Sequence, residues 1–164
     1  MVRIMGVDPG KQTGVAVIES LHGDCPPPIP GLYWAVLKTV THRDADEGER
    51  IEAVEGMADW WRGHGGLAAV AVQTPFGVGR APVYHPYPMS LARHAGFVGR
   101  LCEALRNAGQ NVIEIPSQDC RKKGLKMDVR AWKQCWKIDW RTSEHARDAA
   151  QLALMGAARI QRGG

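Results

Sequence analysis

The sequence predicts an α/β fold, a mixed five-stranded sheet in which an antiparallel meander is continued by parallel strands, with helices on both faces. Three observations predict it. Residues 3–40 hold three strand-like runs separated by Gly- and Pro-bearing connections. From Asp46 the period changes, and helical runs alternate with short, largely apolar segments. The chain then closes on helical patterning from Asp128 to Gln161. A length of 164 residues suits a single domain, spanning 1–164, with a full core.

Taken in order, "RIMGVDPG" alternates apolar residues and ends in Asp-Pro-Gly, a strand running into a turn. "TGVAVIES" lies close enough to form a hairpin with it across "PGKQ". "CPPPIPG" excludes helix and central strand, because proline lacks the N–H that either would need. "LYWAVLKTV" is a third strand. In "DEGERIEAVEGMADWWRGHGG", Ile51, Val54, Met57, Ala58 and Trp61 share one helical face, and "HGG" stops the helix. "LAAVAVQ" is almost wholly apolar, as a strand covered on both faces should be. "SLARHAGFVGRLCEALRNAGQ" is a helix with Ser90 as its cap and Gly109 as its stop. "NVIEIP" is a fifth strand, "DVRAWKQCWKIDW" a helix capped by Asp128, and "SEHARDAAQLALMGAARIQ" the closing helix.

No apolar run approaches the roughly 20 residues needed to cross a bilayer. The N-terminus enters a strand directly, without the apolar core of a signal peptide, so a cytoplasmic protein with no membrane partner is expected. Cys25, Cys102, Cys120 and Cys135 show no CxxC or CxxH pairing, which argues against a zinc knuckle and for free thiols. Charge is unevenly spread. The segment Arg121–Arg147 carries nine bases against three acids, a net +6 in a chain whose total is +4. Acid gathers between Asp44 and Asp59. This asymmetry suits a nucleic-acid footprint, and it suits equally a basic surface with no partner.

Three polar points stand where apolar runs end. Asp8 closes the first strand, either as the cap of the tight turn to Gly10 or as a ligand, since a buried carboxylate needs a partner. Gln73 closes the fourth strand, where the plain alternative is a satisfied amide at a sheet edge. His145 and Asp148 are three apart on the last helix and so project from one face. The plain alternative there is an ordinary solvated helix start, with Ser143 as N-cap and acids favoured by the helix dipole. Trp132, Trp136 and Trp140 form a stripe beside Lys133, Lys137 and Arg141. That pattern describes either a helix buried through its tryptophans or a DNA-facing helix with bases stacked on aromatics. Phe76, among Gly and Pro in "TPFGVGRAP", reads as a loop residue, and Arg80 in the same loop is a candidate phosphate contact.

Together, "IMGVDPGKQTGVAVIE", "VAVQTPF" and "EHARDAAQLAL" carry a resemblance: the chain resembles the RuvC family of Holliday-junction resolvases, within the ribonuclease-H-like superfamily. The likeness covers essentially the whole chain. The first motif alone also resembles the opening of actin-like ATPases, but 164 residues are too few for two nucleotide-clasping lobes. The resemblance implies that Asp8 is the first-strand metal-binding aspartate and Asp148 the aspartate of the last helix. His145 falls where members carry aspartate or histidine, and Gln73 where the family has glutamate. Phe76 matches an aromatic that wedges against bases at the junction centre. Arg121, Lys122, Lys123 and Lys126 of "RKKGLK" fall where the family has basic residues facing DNA, with Arg80 beside them.

The implied chemistry is two-metal hydrolysis of phosphodiester bonds in symmetric strands of four-way junction DNA, with two Mg²⁺ or Mn²⁺ ions per active site. Asp8, Gln73, His145 and Asp148 are the expected catalytic and ligand set. Two symmetric nicks imply a homodimer, for which the helix Ser90–Asn107, with Ala95, Gly96 and Gly99, is the expected contact. Gln73 departs from the pattern: an amide brings no charge and cannot act as a base. The chain as written is therefore expected to be nearly inactive, whether the amide is natural or introduced. The alternatives are a junction-binding protein without catalysis, or another ribonuclease-H-like nuclease acting on RNA or hybrids.

Overall fold

The structure is a computed structural model that describes residues 1–43, 46–75, 88–122, 136 and 143–163, the side chains of 88, 121 and 122 excepted. Strands β1 (Arg3–Asp8), β2 (Thr13–Ser20) and β3 (Trp34–His42) form the expected meander. Helix α1 (Glu47–Arg62), strand β4 (Ala69–Thr74), helix α2 (Pro88–Asn107) and strand β5 (Val112–Pro116) follow. A short helix α3 (Ser117–Lys122) and the closing helix α4 (Glu144–Gly163) complete the described elements. The sheet order is β3-β2-β1-β4-β5. β1 pairs antiparallel with β2 and parallel with β4, and β5 joins β4 in parallel. Strand β4 is thus an interior strand, which explains its unbroken apolar run, with Ala69–Val72 wholly buried.

Strand alternation divides the core into two layers. Met5, Val7, Val15, Val17, Val70 and Val72 face α1 and α2, meeting Val54, Phe97, Leu101 and Leu105 among others. The opposite face carries Ile4, Gly6, Ala16, Ile18 and Ala71, and α4 lies across it through Ala149, Ala150, Leu152 and Ala153. Small residues on both sides make that approach close. A Cβ on Gly6 would stand 1.7 Å from the carbonyl oxygen of Ala149, and one on Gly14 would stand 2.1 Å from that of His145. The substitution Gly14→Ala must therefore push the first turn of α4 off the sheet. Overpacking of this kind costs typically 1–3 kcal/mol, and a backbone that cannot yield places the cost at about 3 kcal/mol or more. A lowered urea midpoint is the expected readout; an unchanged midpoint would show that the helix has room to retreat.

Local expectations meet the structure unevenly. Ser143 caps α4 as expected, its Oγ accepting from the Ala146 N–H at 3.1 Å. The same hydroxyl is hydrogen-bonded to Thr41 Oγ1, which ties the helix start to β3. Gly109 follows α2 at φ +83, the left-handed conformation that suits a glycine just past a helix end. Ser90 is not the cap of α2: the helix begins at Pro88, a proline being well suited to a first turn, where its missing N–H has no partner to lose. Trp34 is fully buried and donates its indole N–H to Pro26 O and Pro27 O, so the proline-rich loop is fixed from below. Cys102 is a free thiol packed on the inner face of α2; Cys25 and Cys120 are free and half-buried.

The helix expected over Asp128–Trp140, Cys135 included, lies outside the described residues except at Trp136. That tryptophan packs against the cluster of Ala16, Ala149 and Ala150, so at this position the stripe is turned inward. Among the described residues no helix is long and apolar enough to cross a membrane.

Candidate functional site

Two strands and one helix bring the expected residues together at one end of the sheet. Asp8 is in phase with Ile4 and Gly6, so its carboxylate points to the α4 side. Gln73 is in phase with Ala71 on β4 and faces the same way. Since β1 and β4 are parallel neighbours with Val7 opposite Val72, their C-terminal ends place the two side chains next to each other. The first two turns of α4 sit above them and supply His145 and Asp148. All four line a cleft of about 230 Å³, together with Ser117, Cys120 and Gln151.

The alternatives left open by the sequence separate here. Asp8 does not close the turn to Gly10. That turn is held by Thr13, whose hydroxyl donates to Gly10 O at 2.9 Å and accepts from Gly10 N–H at 3.4 Å. The Asp8 carboxylate instead meets the imidazole of His145, Oδ2 to Nδ1, at 3.1 Å. Gln73 is not at a sheet edge, because β5 pairs beyond it, and among the described residues its amide makes no hydrogen bond. His145 is 40% exposed and Asp8 15%, so the pair forms the floor and wall of an open cleft.

Burial pushes the Asp8 carboxyl up to about 6 from its ordinary 3.8. The hydrogen bond from His145 pulls it back, and the negative charge of Asp148 pushes it further up. Burial is thus what chiefly disfavours its ionised form. Cys120 is a neutral thiol, raised to about 11 by burial and then by Asp119, Asp8 and Asp148.

Among the described residues no three of His, Cys, Asp and Glu stand together closely enough to hold a metal ion. Asp8 is engaged with His145, and the amide of Gln73 stands at the neighbouring strand end. In donor chemistry the residues still fit a divalent cation. Two carboxylates, an imidazole and an amide carbonyl are hard oxygen and nitrogen donors of the kind Mg²⁺ and Mn²⁺ accept.

Phe76, Arg80, Lys123 and Lys126 lie outside the described residues. Arg121 and Lys122 belong to α3, but their side chains are not described. Sequence reasoning missed Ser117, Cys120, Glu144 and Gln151 as cleft residues. Gln151 was within reach, since it follows Asp148 by three on the same helix. Ser117 and Cys120 were not, because α3 is too short to show a helical period.

The order of the strands, with α4 laid across β1, β2 and β4 and acidic groups at the β1 end, defines a ribonuclease-H-like fold. Within that class the architecture is RuvC-like. The chain is similar to Thermus thermophilus RuvC solved in complex with a Holliday junction substrate, with TM-score 0.67 and 18% sequence identity, covering 99% of this chain and 97% of that one. A second T. thermophilus RuvC structure matches with TM-score 0.63 at 18% identity, covering 98% and 97% respectively. No protein-family model matches the sequence, and no curated protein matches it.

Proposed function

We propose that this chain is a junction-resolving endonuclease of RuvC type whose cutting step is impaired by Gln73. The observation that carries this reading is the meeting of Asp8, Gln73, His145 and Asp148 in one cleft of a RuvC-like fold. The basic segment Arg121–Arg147 supports it as a source of phosphate contacts, with Arg121, Lys122, Lys123, Lys126 and Arg80 facing DNA and Phe76 wedging at the junction centre.

Asp8, Asp148 and the Gln73 carbonyl would hold divalent cations, with His145 as the nitrogen donor. Bound Mg²⁺ or Mn²⁺, two per site, supplies neutralisation of the developing phosphoryl charge and a more acidic water. The chain's own residues do the rest. Asp8 orients His145 through the Oδ2–Nδ1 contact, and the Ser143–Thr41 hydrogen bond fixes the helix turn that bears it. Gln73 keeps the shape of a glutamate without its charge, so substrate is held and little is cut.

The chain as written should retard a synthetic four-way junction in a native gel, in preference to a linear duplex of the same sequence. Retention should weaken as salt rises, because phosphate contacts release counterions. Equal retention of the two DNAs would remove the junction from the proposal.

The reading also requires a homodimer. On α2, Gly96 and Gly99 are exposed, and a Cβ on either would meet nothing within 4 Å, while Phe97, Val98 and Leu101 pack inward. That open small-residue face is the proposed contact. In the Gln73→Glu background, Gly99→Arg is expected to yield monomers by light scattering that nick without resolving; a variant that stays dimeric would exclude this face.

A further inference from the structure

One polar side chain of the cleft has no part in the reading above. Gln151 stands on α4 three residues after Asp148 and on the same face. It is 7% exposed and lines the cleft alongside Asp8, Gln73 and Asp148. Glutamine carries two N–H donors and one carbonyl acceptor, and buried polar groups are ordinarily hydrogen-bonded. Among the described residues the Gln151 amide has no hydrogen-bond partner, yet it is not among the side-chain polar atoms sealed from solvent. Its polar end therefore opens on the cleft.

The rest of the lining is short of donors. Asp8, Asp148 and Glu144 can only accept when ionised. The Ser117 hydroxyl already donates to Pro75 O at 2.8 Å, and the Cys120 thiol to Pro116 O at 3.7 Å. His145 is engaged with Asp8. A phosphodiester presents only acceptor oxygens, and carboxylates repel it. Uncommitted N–H donors remain on Gln73, in the ligand position, and on Gln151 one turn deeper.

We propose that Gln151 is a substrate-contacting residue, its amide N–H₂ donating to a non-bridging oxygen of the DNA phosphodiester seated against Asp8 and Asp148. The assignment rests on the nuclease reading above, and the test separates the two. With Gln73→Glu as the parent, single-turnover cleavage of a synthetic four-way junction is compared across Gln151→Met and Gln151→Glu, with thermal midpoints recorded for each. Methionine keeps the length and removes the donors. Loss of a hydrogen bond to a charged group predicts cleavage about 10- to 100-fold slower at an unchanged midpoint. Glutamate adds repulsion toward the phosphate and should be slower still. Cleavage by Gln151→Met at the parent rate would overturn the assignment. So would faster cleavage by Gln151→Glu, which would make the residue a cation ligand instead. A Gln73→Glu parent that cuts no nucleic acid overturns the nuclease reading, and this assignment falls with it.

Discussion

Gln73→Glu, assayed with Mg²⁺ or Mn²⁺, is expected to cleave a four-way junction about 10²- to 10³-fold faster than the chain bearing the amide. The reasoning is electrostatic. The cleft now holds Asp8 and Asp148 with an uncharged amide in the third position, and no three acidic or imidazole groups among the described residues come together for a cation. A carboxylate at 73 adds a full negative charge at the end of β4, beside Asp8. Charge stabilisation by a properly held cation is worth several kcal/mol in the transition state, and each 1.4 kcal/mol is tenfold in rate. The backbone need not move, since Glu and Gln are near-isosteric. The same variant should gain more thermal stability from Mn²⁺ than the chain as written, because ligand binding to the folded state alone raises the midpoint. Equal cation responses in the two proteins would mean that residue 73 is not a ligand.

The second large effect is expected at Asp8. The folded-state pKa near 6 lies above the ordinary 3.8, so the folded protein binds this proton more tightly than the unfolded chain does. Below about pH 4 both states are protonated and the group costs nothing. As pH rises from 4 through 6 the folded state must give up the proton from a buried site, and stability falls. Above 6 the whole cost is present, at most about 3 kcal/mol from a shift of this size. Asp8→Asn removes the charge and retains an acceptor for His145. It is therefore expected to be more stable at pH 7.5 without added cation, by at most roughly 6–12 °C for a domain of this size, and equally stable at pH 4. In the Gln73→Glu background it should abolish cleavage. A lower midpoint at pH 7.5 would show that the His145 contact stabilises the ionised carboxylate more than burial destabilises it.

Much of the architecture was legible because strand alternation and helix periodicity are local signals. β1 and β2 lie where the alternating runs placed them, and β4 is the doubly covered strand its apolar run required. The ends were less legible. α2 starts at Pro88 instead of after Ser90, since Ser90 and a leading proline both suit a first turn. The short helix α3 left no periodic trace.

The four residues singled out in the sequence line one cleft, but their contacts could not be read from it. Asp8, Gln73, His145 and Asp148 each had a plain alternative when taken singly, and only the three motifs together, through their resemblance, joined them into one set. That Thr13 holds the β1–β2 turn, freeing Asp8 for His145, depends on a pairing 137 residues apart in the chain. Gln151 shares a helix face with Asp148, but only the placement of α4 over Gly6 and Gly14 turns that face toward the cleft.

The most direct measurement gives Gln73→Glu, with Mn²⁺, three end-labelled substrates: a four-way junction, a linear duplex and an RNA–DNA hybrid. The reading predicts paired nicks at symmetric positions of the junction, with the other two left intact. Cleavage of the hybrid with the junction spared, or no cleavage of any substrate, would contradict it.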